Sequence, residues 1–398
     1  MNNPIFNTAR IFLQNKYHFA TPLELFKHLI TNSSYFQTLR LKNDSNDELL
    51  YKLIFIAGFH ERRNCGNVVK EFSQNCLIQI RDRIEDMSMD IPTLIQAFLA
   101  MSNVLLDDEK IVSSILKQLK DQEDQITLKQ FHSIQHCLYK LGRQNNYWSQ
   151  KACDAMTHNL TTIVIQDYVQ YLHIASNLYQ IGLFQEEHLI KLLDILYYKL
   201  GKQQKHIYLS KFTFQFAQMM FNLYPEIINQ PLNQLSCNQH TPFELYFQFL
   251  KRDYQVCRQI LQRKKIGVSI DYFENENFPY LLRLREDSIS RTQTLLETEI
   301  IEILQKLQLK FNKFQKVLIY DVDFKVMDNY VINCNGPLHF ISTLDGKIKQ
   351  KSFNTMMQYR HLKALETQNV IDFDFFDWKQ EDSMEFKISK IKTLLNLI

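Results

Sequence analysis

Two stretches of this chain concentrate positive charge in a form suited to following a phosphate backbone. Residues 195–225 hold Lys199, Lys202, Lys205 and Lys211 without a single acid, and residues 251–265 hold Lys251, Arg252, Arg258, Arg263, Lys264 and Lys265 against Asp253 alone. Cations along a groove displace condensed counterions from a nucleic-acid strand, and that release is the main source of strand affinity. The same composition also suits a solvated helix face. Aromatic rings beside such charge add a second chemistry, because unpaired bases are held by stacking. Tyr147 and Trp148 fall in an expected turn between helices, with Arg143 and Lys151 nearby. Tyr197, Tyr198, Phe212, Phe214 and Phe216 read instead as core.

Other chemistries find little support. The chain has no P-loop, G-x-G-x-x-G, H-E-x-x-H or G-x-S-x-G pattern, and only eight glycines with which to build a variant of one. His132 and His136 stand four apart on one expected helix, but no third metal ligand accompanies them. Seven scattered cysteines with no C-x-x-C pair suit a reducing compartment and argue against a disulfide framework or a structural zinc site. No metal and no cofactor is expected.

The elements that must position these residues fall into two regimes. The chain has 398 residues, a formal net charge of +3 and 45% hydrophobic residues, enough to bury a core in two or three domains. From about 45 to 310 the period is helical. Ile91, Leu94, Ile95, Phe98, Met101 and Leu105 recur at three and four, and Leu296, Ile300, Ile303, Leu304 and Leu307 do so behind a capping box of Thr294 and Glu297. Leu105, Leu141, Ile181 and Leu223 close similar helices at intervals of 36, 40 and 42 residues. A period near 40 with two helices per repeat reads as an α-solenoid, the alternative being a non-repeating bundle.

Residues 317–398 behave differently. VLIYDVDFKV, NYVINCNG and VIDFDFFDW read as strands, a helix is expected across KQKSFNTMMQYRHLKALETQN, and MEFKISKIKTLLNLI reads as a closing helix. The expected fold is therefore mainly α, with a small C-terminal α/β domain. Residues 1–44 form an N-terminal segment. Its first 23 residues contain Arg10 and Lys16 but no acid, the composition of an organellar presequence and equally of an ordinary polar N-terminus. No apolar run is long enough to span a membrane.

The C-terminal segment resembles the RAP domain, which follows helical repeats in proteins acting on organellar RNA. That family's pattern has an Asp-bearing strand, a strand reading I-E-V-D-G-P-x-H-F, a helix of T-x-x-K-x-R-x-L character, and a strand ending in aromatic-x-W. Here Asp323 lies in the first strand, and Ile332-Asn333-Cys334-Asn335-Gly336-Pro337-Leu338-His339-Phe340 occupies the second. Thr355, Gln358, Arg360 and Leu362 fall on the helix, with Gln358 where the pattern has Lys, and Phe376-Asp377-Trp378 ends the last strand. The architecture is similar to the Fas-activated serine/threonine kinase family of mitochondrial RNA-binding proteins and to octotricopeptide-repeat proteins.

The resemblance implies a restriction-endonuclease-like fold for the domain. It also implies a role in the mitochondrial matrix, in RNA processing, mRNA stability or rRNA maturation. Single-stranded organellar RNA is the implied partner, with mitochondrial ribosome or RNA granule proteins beside it. A ribosomal structural or assembly subunit and a metal-dependent endoribonuclease are the alternatives. Cleavage in such a fold needs carboxylates converging on a hard cation. Asn333 and Asn335 stand where the family pattern has Glu and Asp, so no hydrolytic activity is expected, although Asp321 or His339 could compensate. The domain carries ten Lys or Arg against eleven Asp or Glu, so phosphate attraction falls to the helical part. His339, Arg360 and Trp378 are candidates for a small polar pocket. Trp378 also reads as a packing anchor, and His339 as the residue that fixes the Gly336–Pro337 turn.

Overall fold

The computed structural model describes residues 4–30, 41–42, 44–59, 66–158, five positions between 174 and 188, 294–317, 320–365 and 368–397. The chain divides into two compact units. One comprises Met1–Ala152 with Pro337–Phe353, the other Cys153–Gly336 with Asn354–Ile398.

The first unit is built on helices α1 (Pro4–Tyr17), α2 (Pro22–Ile30), α3 (Asn46–Ala57), α4 (Gly66–Arg83), α5 (Ile91–Asn103), α6 (Glu109–Asp121), α7 (Leu128–Lys140) and α8 up to Ala152 (the whole helix being Asn146–His158). Local chemistry sets where several begin. Ser45, Asp90 and Asp108 each accept a hydrogen bond from the third backbone N–H of the helix that follows, satisfying a donor the helix itself leaves open. Phe55, Leu53, Phe98, Leu94 and Ile111 fill one continuous core beneath them.

Helices α1 and α2 contribute to that core. Ala9 and Leu13 of α1 are fully buried, and Phe6 stacks on Phe55 of α3 at 5.7 Å between ring centroids. A Cβ at Gly58 would meet the Phe6 ring at 2.5 Å, so a larger residue there would displace that ring. Glu48 accepts from Lys16 and from the Tyr17 hydroxyl, and Lys52 pairs with Asp44 at 2.6 Å and Glu48 at 3.1 Å. Burial and the Glu48 carboxylate push the Tyr17 hydroxyl up to about 12. Lys16, Tyr17 and Lys52 together hold Glu48 down at about 2 against the opposing effect of its burial.

The second unit contains α9 (Leu295–Lys306), a four-stranded sheet, α10 from Asn354 onward (the whole helix being Phe353–Lys363) and α11 (Met384–Leu394). Its strands are β1 (Phe311–Val317), β2 (Tyr320–Val326), β3 (Tyr330–Asn335) and β6 (Asn369–Asp374), in the order β1-β2-β3-β6. The first three form an antiparallel meander, and β6 returns parallel to β3 after α10. The capping box of Thr294 and Glu297 is present at the start of α9.

Two differences from the sequence reading stand out. The segment expected to open the domain is its second strand, because Phe311–Val317 already pairs with it. The expected long helix begins only at Phe353. Ahead of it, β4 (Phe340–Ser342) and β5 (Ile348–Lys351) make an antiparallel hairpin belonging to the first unit. Of the four aligned helix ends, Leu105 and Leu141 follow α5 and α7, whereas Ile181 and Leu223 lie outside the described residues.

Candidate nucleic-acid interface

Strand alternation gives the sheet of the second unit two chemically distinct faces. Phe324, Val326, Ile332, Cys334 and Phe373 pack with Ile300, Ile303 and Leu304 of α9 and with Ile391 and Leu395 beside them. The alternate positions carry Asp323, Asn333, Asn335, Asp372 and Asp374. Asp323, Asn333 and Asn335 are all buried.

This polar face is organised by hydrogen bonds across the ladder. Asn333 stands opposite Asp372 and Asn335 opposite Asp374 in the parallel register. Asn333 Nδ2 donates to Asp372 Oδ1 at 3.1 Å, and Asn335 Nδ2 donates to Asp374 Oδ1 at 2.8 Å. From α10, Gln358 Nε2 reaches Asn333 Oδ1 at 3.4 Å, while Asp323 Oδ2 accepts from the Cys334 backbone N–H at 2.6 Å. An amide beside a carboxylate gives that carboxylate a donor, where a second carboxylate would repel it. The acids absent from β3 are thus matched by acids on β6. Asp372 and Asp374 were missed in the sequence, although I-D-F-D repeats the polar–apolar phase of N-C-N. Among the described residues, no group of three or more His, Cys, Asp or Glu is arranged to hold a metal ion.

Further contacts tie the framework together. Tyr320 Oη lies 2.6 Å from His361 Nδ1, and burial, helped by the neighbouring Arg360 charge, pushes that imidazole down to about 3. It is therefore neutral at ordinary pH. Trp378 packs on Phe373 at 4.3 Å and donates its indole N–H to Glu299 Oε2 at 2.7 Å, while Lys387 pairs with the other oxygen of Glu299 at 3.1 Å.

The remaining candidates are dispersed. Lys199, Lys202, Lys205, Lys211, Lys251, Arg252, Arg258, Arg263, Lys264 and Lys265 lie outside the described residues. Trp148 is 2% exposed and its ring belongs to the core of the first unit, which removes it as a surface for a base. Tyr147 is half-buried, with Lys120 Nζ 4.9 Å and Lys151 Nζ 5.6 Å from its ring centroid. Arg143 is engaged by Asp107 and Glu109. Pro337 and His339 belong to the first unit, Gly336, Arg360 and Trp378 to the second. Arg360 is exposed, and His132 is buried in α7, where desolvation pushes its imidazole down to about 4.

A C-terminal α/β module with amide and carboxylate side chains ordered on one sheet face is the class that the geometry defines. The family model described as the RAP domain matches residues 332–394, from β3 to the end of α11. That module is generally associated with RNA binding. No curated protein matches the chain. No helix among the described residues is long and apolar enough to cross a membrane.

Proposed function

We propose that this chain is an organellar RNA-binding protein of the mitochondrial matrix that holds single-stranded RNA during RNA processing, mRNA stabilisation or rRNA maturation, without cutting it. The RAP match carries the RNA reading. The helical part suits an α-solenoid, a reading favoured by the successive pairs α5–α6 and α7–α8, whose first helices close 36 residues apart at Leu105 and Leu141. The architecture remains similar to that of the Fas-activated serine/threonine kinase family and of octotricopeptide-repeat proteins.

The non-cleaving reading rests on Asn333 and Asn335. Both amides are uncharged and each occupies an oxygen of a β6 carboxylate, so β3 adds no negative charge where a hydrolytic cation would need it. A nuclease reading draws on the order of elements, helix, antiparallel meander, helix and parallel strand, which suits a restriction-endonuclease-like ancestry with Asp323 retained. RNA cleavage that needs a divalent cation and is lost in Asp323→Ala would establish it over the binding reading.

The test is crosslinking and immunoprecipitation from fractionated cells, with crosslink sites counted by transcript. Sharp peaks on a few organellar transcripts are expected. Broad rRNA coverage would replace the processing role by a ribosomal one, and an absence of RNA above background would overturn the proposal.

A further inference from the structure

The segment Pro337–Phe353 lies within the family match yet belongs to the first, helical unit. Its hairpin has strands of three and four residues, too short to persist without a partner. At its base, Ser352 N donates to His339 O at 2.7 Å, and Gly346 at φ +80° turns its tip.

Three kinds of contact seat it. Ser342 extends the α5–α6 connection as a strand would: its N–H donates to Leu105 O at 2.9 Å, and Asp107 N donates to Ser342 O at 2.9 Å. Ile341 and Leu344 are buried in the same core as Leu94 and Phe98. The third contact is Lys70 of α4, whose Nζ donates to Phe340 O at 2.9 Å, Ser342 Oγ at 3.1 Å and Pro337 O at 3.4 Å. An ammonium has three N–H donors and no acceptor, and here three uncharged oxygens use all of them. Burial pulls Lys70 down to about 8, so near neutral pH it keeps the third proton. Gln74, one turn further along α4, donates to Leu344 O at 2.7 Å, and Lys349 pairs with the buried Asp107 at 2.5 Å.

We propose that Pro337–Phe353 is a strap whose signature turn is a clasp onto the helical unit, with Lys70 as the positioning residue that holds it closed. The backbone carbonyls of Pro337 and Phe340 are spent on α4, so this part of the family signature serves assembly of the helical unit. The inference stands independently of the RNA-binding reading.

Hydrogen exchange followed by mass spectrometry on the full chain tests it, comparing wild type with Lys70→Met, Lys70→Arg and Gln74→Met. In Lys70→Met the amides of 340–352 should exchange about tenfold faster or more, while α3 and β3 keep their protection, as expected when one locally stable segment opens alone. Lys70→Arg, which keeps charge and donors, should restore part of that protection. Should Lys70→Met fail to fold, Gln74→Met removes one neutral hydrogen bond and should show the same local pattern at smaller amplitude. Unchanged exchange in the strap would overturn the inference. Equal acceleration in α3 would overturn it too, because the segment would then merely share the stability of the core.

Discussion

Replacing Asn335 by Asp changes one atom of the polar face from donor to acceptor and adds a charge. Asn335 is 3% exposed and its Nδ2 lies 2.8 Å from Asp374 Oδ1. Losing a hydrogen bond to a charged partner costs about 1.5–3 kcal/mol. Two carboxylates at that separation would repel by about 6 kcal/mol at an effective dielectric near 20. Asp374 is half-exposed and the pair can take up one proton, so the cost at neutral pH is capped at about 3–4 kcal/mol. The sign with pH follows. The carboxyl pair titrates above its unfolded value, so the folded variant binds more protons than the unfolded chain, and its deficit shrinks as pH falls towards about 4. Asn335→Asp combined with Asp374→Asn exchanges the pair and should recover most of the loss. Urea unfolding followed by Trp378 fluorescence in a Trp148→Phe background reads the second unit alone, since the chain has two tryptophans. Wild-type stability in Asn335→Asp at pH 7, or no recovery in the exchanged pair, would refute the ladder as drawn.

Acid should loosen the second unit through His361: its folded value of about 3 lies below the ordinary 6.5, so stability is complete above about pH 6.5 and lost as pH falls towards 3. The loss should approach about 5 kcal/mol, and His361→Gln should flatten that limb of the pH–stability curve. Leu13→Ala should cost the first unit about 2–5 kcal/mol by thermal unfolding, because the side chain is fully buried. A silent substitution would refute the burial of α1 in that core. Gly142→Ala places a Cβ at φ +63°, 1.8 Å from Gln350 Nε2, and should cost about 1–2 kcal/mol from the backbone alone, measured the same way.

The helices were legible because periodicity is local. Ile91–Asn103 and Leu295–Lys306 announce themselves through apolar residues at three and four, and the Thr294–Glu297 box marks an end within four residues. What was missed depends on partners far along the chain. FNKFQKV and IKQK carry too many polar residues to read as strands, and they are strands because Tyr320–Val326 and Phe340–Ser342 pair with them. The role of Asp372 and Asp374 follows from a parallel register that joins residues 39 positions apart. Trp148 illustrates the opposite error. Its place near an inter-helix turn suggested exposure, but it falls in the first turn of α8 with its ring against Phe131 and the core. In residues 4–17 Ala9 and Leu13 stand four apart on one face, and that face is buried.

The most direct test of the RNA reading is fluorescence anisotropy of the purified full chain with labelled single-stranded RNA, duplex RNA as the comparison, across a salt series. Saturable binding that favours the single strand and weakens log-linearly with salt is the predicted result. No binding to the single strand even at low salt would contradict it.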